Sequence, residues 1–137
     1  MQRNTRTLLL ALALAVSFNV SAKWTPVDST IGVVDIYIDQ EKIRLNGTKL
    51  TFWELHDFKT PVEMETGDGK KVFVRSAANQ IQVECGVARS RSIGQVWYTT
   101  NMAKDGGVAV ITTPEKWVPI TPGGPVDSIS RATCSKK

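Results

Sequence analysis

The 137-residue chain carries 17 Lys and Arg against 13 Asp and Glu, with 42% hydrophobic residues and two cysteines. That length supports one domain with a modest core and excludes two. The basic residues are interleaved with acidic ones, which excludes the concentrated positive field of a nucleic-acid binder.

Residues 1–22 read as a secretory signal peptide. Arg3 and Arg6 precede an uncharged apolar run, and Val20, Ser21 and Ala22 put small residues where a signal peptidase reads. Cleavage before Lys23 leaves residues 23–137 as a single β-rich domain, with 15 basic against 13 acidic side chains. Asn19 and Ser21 close the apolar run too early to span a bilayer, which takes about 20 residues. No other segment is long enough, and Lys23 stands where a lipid anchor would need cysteine. The mature protein is therefore expected in the periplasm, at the cell surface or secreted, with no membrane span and no acyl anchor.

Residues 23–30 read as an extended lead-in that Pro26 keeps from regular pairing, with Trp24 available to cover an edge. Residues 31–38 and 48–58 are β-rich runs flanking Asn46-Gly47, a pair suited to the positive φ angles of a tight hairpin turn. A two-residue turn there sets Leu45 opposite Thr48, Arg44 opposite Lys49 and Ile43 opposite Leu50. Residues 39–41 interrupt the first run, either as a bulge or by widening the connection into a longer loop. In the second run Leu50 and Phe52 share one face while Trp53 and Leu55 share the other, the pattern of a strand covered on both sides. Thr60-Pro61 ends that strand. Residues 63–71 read as a surface loop in which Asp68-Gly69 is a second candidate turn.

Residues 79–85 alternate, pointing Ile81, Val83 and Cys85 inward and Gln80, Gln82 and Glu84 outward. A further run over 87–100 contains Trp97 and Tyr98, with Gly94 marking a bulge or a bend. Residues 107–112 form a last short strand. Five or six strands joined by short turns make an antiparallel sheet, because parallel neighbours need long crossovers that the chain lacks. Beyond the Pro- and Gly-containing stretch 119–125 the pattern changes. Pro125 suits a first helical turn, and Val126, Ile129, Ala132 and Thr133 form a weak apolar stripe ending at Cys134.

The two cysteines, Cys85 and Cys134, form an even pair in an exported small domain, which reads as one disulfide. It would pin the short helix across the sheet, giving an α+β fold. A reactive or metal-binding thiol would want a Cys-x-x-Cys spacing or a nearby histidine.

Catalytic signatures are absent from the sequence. No Gly-x-Ser-x-Gly elbow exists, Ser90 and Ser92 lack a second histidine as base, and Glu63 and Glu65 sit in a loop without rigid support. A non-enzymatic role is expected. The stronger feature is basic: Lys70, Lys71 and Arg75 in one segment, with Arg89 and Arg91 two apart on a strand and so on the same side. These five are candidates to attract an acidic partner, with Trp97 or Tyr98 adding apolar contact where exposed. The plainer reading of the charges is solvation of a strand edge.

The mature start Trp24-Thr25-Pro26-Val27, the run from Ile36 to Pro61, the strand ending Val83-Glu84-Cys85, and the tail closing in a helix and Cys134 together resemble the surface-adhesin protein E family of Gram-negative bacteria. The resemblance implies an antiparallel sheet packed on a disulfide-tied C-terminal helix. It also implies binding of host vitronectin and laminin, self-association as a homodimer, and a capacity for haem. His56, the one histidine, shares a strand face with Glu54 and Phe58. It is the first residue to test for haem or metal, against the plainer reading of a strand residue. Otherwise no cofactor is expected. A periplasmic small-ligand carrier and an accessory component of an envelope complex are the alternatives to an adhesin.

Overall fold

The computed structural model describes residues 23–30 and 32–135. The predicted leader, residues 1–22, lies outside the described residues. In chain order the strands are Trp24–Thr30 (β1), Val34–Asp39 (β2), Arg44–Asn46 (β3), Lys49–Glu65 (β4), Lys71–Glu84 (β5), Arg89–Tyr98 (β6), Ala109–Ile111 (β7) and Val118–Pro119 (β8). One helix, Pro125–Cys134 (α1), follows them. The sheet runs β1-β2-β4-β5-β6-β7, with β3 beside β4 and β8 beside β6, and the pairings are antiparallel as expected.

Among the described residues eight strands replace the expected five or six, for local reasons. The lead-in is itself a strand: β1 pairs with β2 across a register shift between Pro26 and Asp28, so Pro26 bends the pairing without ending it. The first arm is split by a 3-10 turn, Gln40–Lys42. Asp39, only 1% exposed, caps that turn by accepting the Glu41 N–H at 3.1 Å. The turn absorbs surplus residues, so that β2 and β3 both pair with β4.

The hairpin at Asn46-Gly47 exists, but its register differs from the expected one. Leu45 faces Leu50, Arg44 faces Thr51 and Asn46 faces Lys49. The central residues are Gly47 and Thr48, and the positive φ, +61°, falls on Gly47. Glycine at the first central position is the requirement of a type II′ turn, which frees Asn46 to join the ladder. The shift is two places, so side chains keep their faces.

β4 also runs past Pro61, where the sequence reading ended it. Asp57 pairs with Ser76 and Val62 with Val74, so on the β5 side residues 58–61 bulge opposite Arg75 alone, while Phe58 pairs with Val34 of β2. Pro61 thus sits where no ladder N–H is required. Asn101 plugs the loop, its Nδ2 donating to Asp57 Oδ1 at 3.0 Å and to the Phe58 carbonyl at 3.1 Å. Beyond it the ladder resumes to Glu65 and Lys71, shrinking the expected loop 63–71 to a turn around Asp68 and Gly69, the latter at φ +81°. In β6 a register shift opposite Gln80 and Ile81 leaves Ile93 unpaired beside Gly94, the expected bulge.

The helix begins at Pro125, whose missing N–H costs nothing in the first turn. Asp127 accepts the Gly123 N–H at 2.9 Å and the Arg131 Nε–H at 3.0 Å. Val126, Ile129 and Cys134 pack on fully buried Ile38, Leu50, Phe52 and Val83, which form the main core. Ala132, placed in the apolar stripe by its spacing, points to solvent. Cys85 and Cys134 are bonded, S–S 2.06 Å, closing the helix onto the end of β5.

Candidate functional site

The two faces of the sheet differ in chemistry. On the face away from α1, Lys49, Glu84, Gln82, Arg89 and Arg91 are neighbours across β4, β5 and β6. The chain after β7 returns along β6, with the Glu115 N–H donating to the Ser92 carbonyl at 2.8 Å and β8 pairing with Ser90 and Arg89. That return lays Trp117 on the basic cluster. Arg91 lies 4.4 Å, Arg89 4.7 Å and Lys49 5.0 Å from the Trp117 ring centroid. Cations held over an indole face are attracted by its quadrupole, and the ring keeps them in place. The Arg91 Nε–H is further fixed on Gln82 Oε1 at 2.9 Å.

Glu84 is the carboxylate within this patch, and it is taken by the Lys49 ammonium and by the Thr48 hydroxyl. Those two donors, Lys49 first, hold its pKa below the ordinary value of 4.5. A depressed folded pKa means that the stabilisation is complete above the ordinary value and is lost as pH falls through the lower folded one. Urea melts from pH 6 to pH 3 should therefore show an acid limb of falling stability. In a Glu84→Gln variant that limb should become shallower; an identical limb would remove Glu84 from the account. Asp105, held low chiefly by the Thr99 hydroxyl, contributes to the residual slope with the same sign.

On the face toward α1 the strands carry Glu54 and His56 (β4), Asn79 (β5), and Gln95 and Trp97 (β6). Glu54 pairs across the ladder with Asn79, and Asn79 with Gln95, so the three line up across the sheet. His56 Nε2 lies 2.5 Å from Glu54 Oε1. Trp97 Nε1–H donates to Gln95 Oε1 at 2.5 Å, and Gln95 Nε2 donates to Asn79 Oδ1 at 2.5 Å. These side chains floor an open groove of about 420 Å³, walled by Phe58 and Met64 at one end and by Ile81 and Val118 at the other. A second hollow of about 210 Å³ shares Glu54, Ser90 and Val118 with it and reaches the start of α1 at Pro125 and Val126.

Residues 24–135, which fold into the antiparallel sheet and its disulfide-tied terminal helix, match the family model of surface-adhesin protein E. The chain belongs to that family. Crystal structures of protein E from non-typeable Haemophilus influenzae share the fold: one superposes with a TM-score of 0.54 at 15% identity, covering 83% of this chain and 82% of that one. The selenomethionine form of Haemophilus influenzae protein E gives 0.56 at 15% identity, over 85% and 96% of the two chains. At that identity the likeness carries the architecture alone. No curated protein sequence matches the chain.

Within this family member the predicted basic residues fall into two groups. Lys71 and Glu84 end opposite ends of β5, about 40 Å apart at strand rise. Lys70, Lys71 and Arg75 therefore lie far from Arg89 and Arg91, and Lys71 is paired with Glu63 at 3.2 Å. Trp97 is 9% exposed and packs with Val74 and Ala77, so it is not an outer contact residue. Tyr98 is half-buried, and burial, with Asp105 nearby, raises its pKa. The sequence reading missed Trp117 and Lys49, which reach the arginines only through the β8 and β4 registers. It also missed the Asn79 and Gln95 floor. Among the described residues no three His, Cys, Asp or Glu side chains converge as metal ligands. His56 Nε2 is engaged by Glu54 Oε1.

Proposed function

We propose that the mature chain is an exported, non-enzymatic binding protein that holds an acidic protein partner on the patch formed by Lys49, Arg89, Arg91 and Trp117. The observation that carries this reading is the gathering of three cations within 4.4–5.0 Å of one indole ring. Arginine guanidinium groups pre-positioned on a ring meet carboxylate or sulfate in two-pronged hydrogen bonds with little further loss of side-chain freedom. Family membership supports an adhesive role, and host extracellular-matrix or serum proteins of the vitronectin or laminin type are the partner class. The disulfide supports an oxidising compartment, in keeping with the leader read from the sequence. No resident cofactor is part of this reading.

Surface plasmon resonance on immobilised vitronectin and laminin tests it with the mature chain. An Arg89→Glu/Arg91→Glu variant should bind at least about tenfold more weakly, equivalent to 1.4 kcal/mol. Wild-type binding should also weaken with added salt, since exposed charges are screened. A Lys70→Glu/Lys71→Glu variant, altered at the far end of β5, should keep its affinity. Equal affinities for the arginine variant and the wild type would sink the proposal. Protease treatment of whole cells separates surface display, where the protein is digested, from a periplasmic location, where it is spared.

A further inference from the structure

The groove lies on the α1 face, opposite the outer patch, and its hydrogen-bond polarity is fixed. An indole N–H can only donate, so the Trp97 contact makes the Gln95 atom facing it the oxygen. The Gln95 nitrogen must then donate to Asn79 through the Asn79 oxygen. The Asn79 NH2 group is what remains for the groove. One strand away, Glu54 has Oε1 engaged by His56 and keeps Oε2. Glu54 and Asn79 are 7% and 8% exposed, held rigidly on central strands, and directly opposite one another in the ladder. Side chains so placed stand about 5 Å apart at their Cβ atoms. The groove thus presents a fixed acceptor beside a fixed donor.

That pairing selects among ligands. An apolar ligand would strip water from a carboxylate and two carboxamides without replacing their hydrogen bonds. An anion would meet the Glu54 carboxylate. A cation would meet Lys116 on the rim and would leave the Asn79 NH2 group, a donor, without a partner. A peptide would bring backbone groups to a sheet face whose ladder groups are already paired. Neighbouring hydroxyls, each able to donate and accept, satisfy both Glu54 and Asn79 at once, and the Phe58 ring at one end offers a face for C–H groups. The volume, about 420 Å³, lies within the range of small-ligand sites. We infer that the α1-face groove is a binding site for a short neutral saccharide, with Glu54 and Asn79 reading adjacent hydroxyls.

Two-dimensional NMR of the isotope-labelled mature chain tests this with glucose, N-acetylglucosamine and cellobiose as probes. At least one of them at millimolar concentration should shift, saturably, the Trp97 indole N–H and the side-chain amides of Asn79 and Gln95. Asn79→Ala should abolish the shifts. Glu54→Gln, which keeps the shape and hence the fold, should weaken binding at least tenfold, with resonances of α1 unchanged. The inference is overturned if none of the sugars gives a saturable shift, if Glu54→Gln binds as the wild type does, or if a blocked tri-alanine peptide binds and the sugars do not. Failure here leaves the outer-patch reading untouched, since Arg89 and Arg91 variants are read on protein partners.

Discussion

Replacing both Cys85 and Cys134 by alanine is expected to lower the stability of the fold by about 3–4.7 kcal/mol, the range the chain-entropy account gives for loops of 15 to 100 residues. The bond joins residues 49 apart. Its loss frees the unfolded chain and also releases α1, because a ten-residue helix is marginal without tertiary support. Urea denaturation of the variant beside the oxidised and the reduced wild type checks this. The reduced wild type keeps both sulfurs in place, so agreement between it and the alanine variant assigns the effect to the cross-link, not to lost packing. A drop below about 1 kcal/mol in both would mean that the helix is held by Val126 and Ile129 without the bond.

Phe52→Ala should cost about 3–5 kcal/mol, the range for removing a large aromatic from a packed interior. Phe52 is fully buried, between Ile38 and Leu50 on the sheet and the apolar face of α1. The matched control is Phe73→Ala on the neighbouring strand, where the ring is 62% exposed and the change should stay within about 0.5 kcal/mol. Equal midpoints for the two variants in chemical denaturation would contradict the placement of the core under the helix.

What could be read from the sequence was whatever is written locally. The alternation through Ile81, Val83 and Cys85, the proline opening the helix and the even cysteine pair each state their outcome within a few residues. The continuation of β4 past Pro61 is not local, since the partner that stabilises the looped-out residues is Asn101, 44 positions from Asp57. Trp117 meets Arg89 and Arg91 only because the chain returns along β6 after β7. The groove likewise needs two registers at once, β4 to β5 and β5 to β6, before Glu54, Asn79 and Gln95 become neighbours. Alternation placed Glu54 and His56 on one face correctly. It carried no information about what lay across from them.

The four residues of β4 that lack partners on β5 opposite Arg75 divide the longest hairpin into a root and an outer arm. Extra residues on one strand of a pair bend that strand, so a load applied at the Asp68-Gly69 tip is taken up in part at this joint. The helix lies on the root, whereas Met64 of the outer arm walls one end of the groove. Contact at the tip therefore moves a lever that bears on the Met64 end of the groove and stands far from the arginines at the other end of β5.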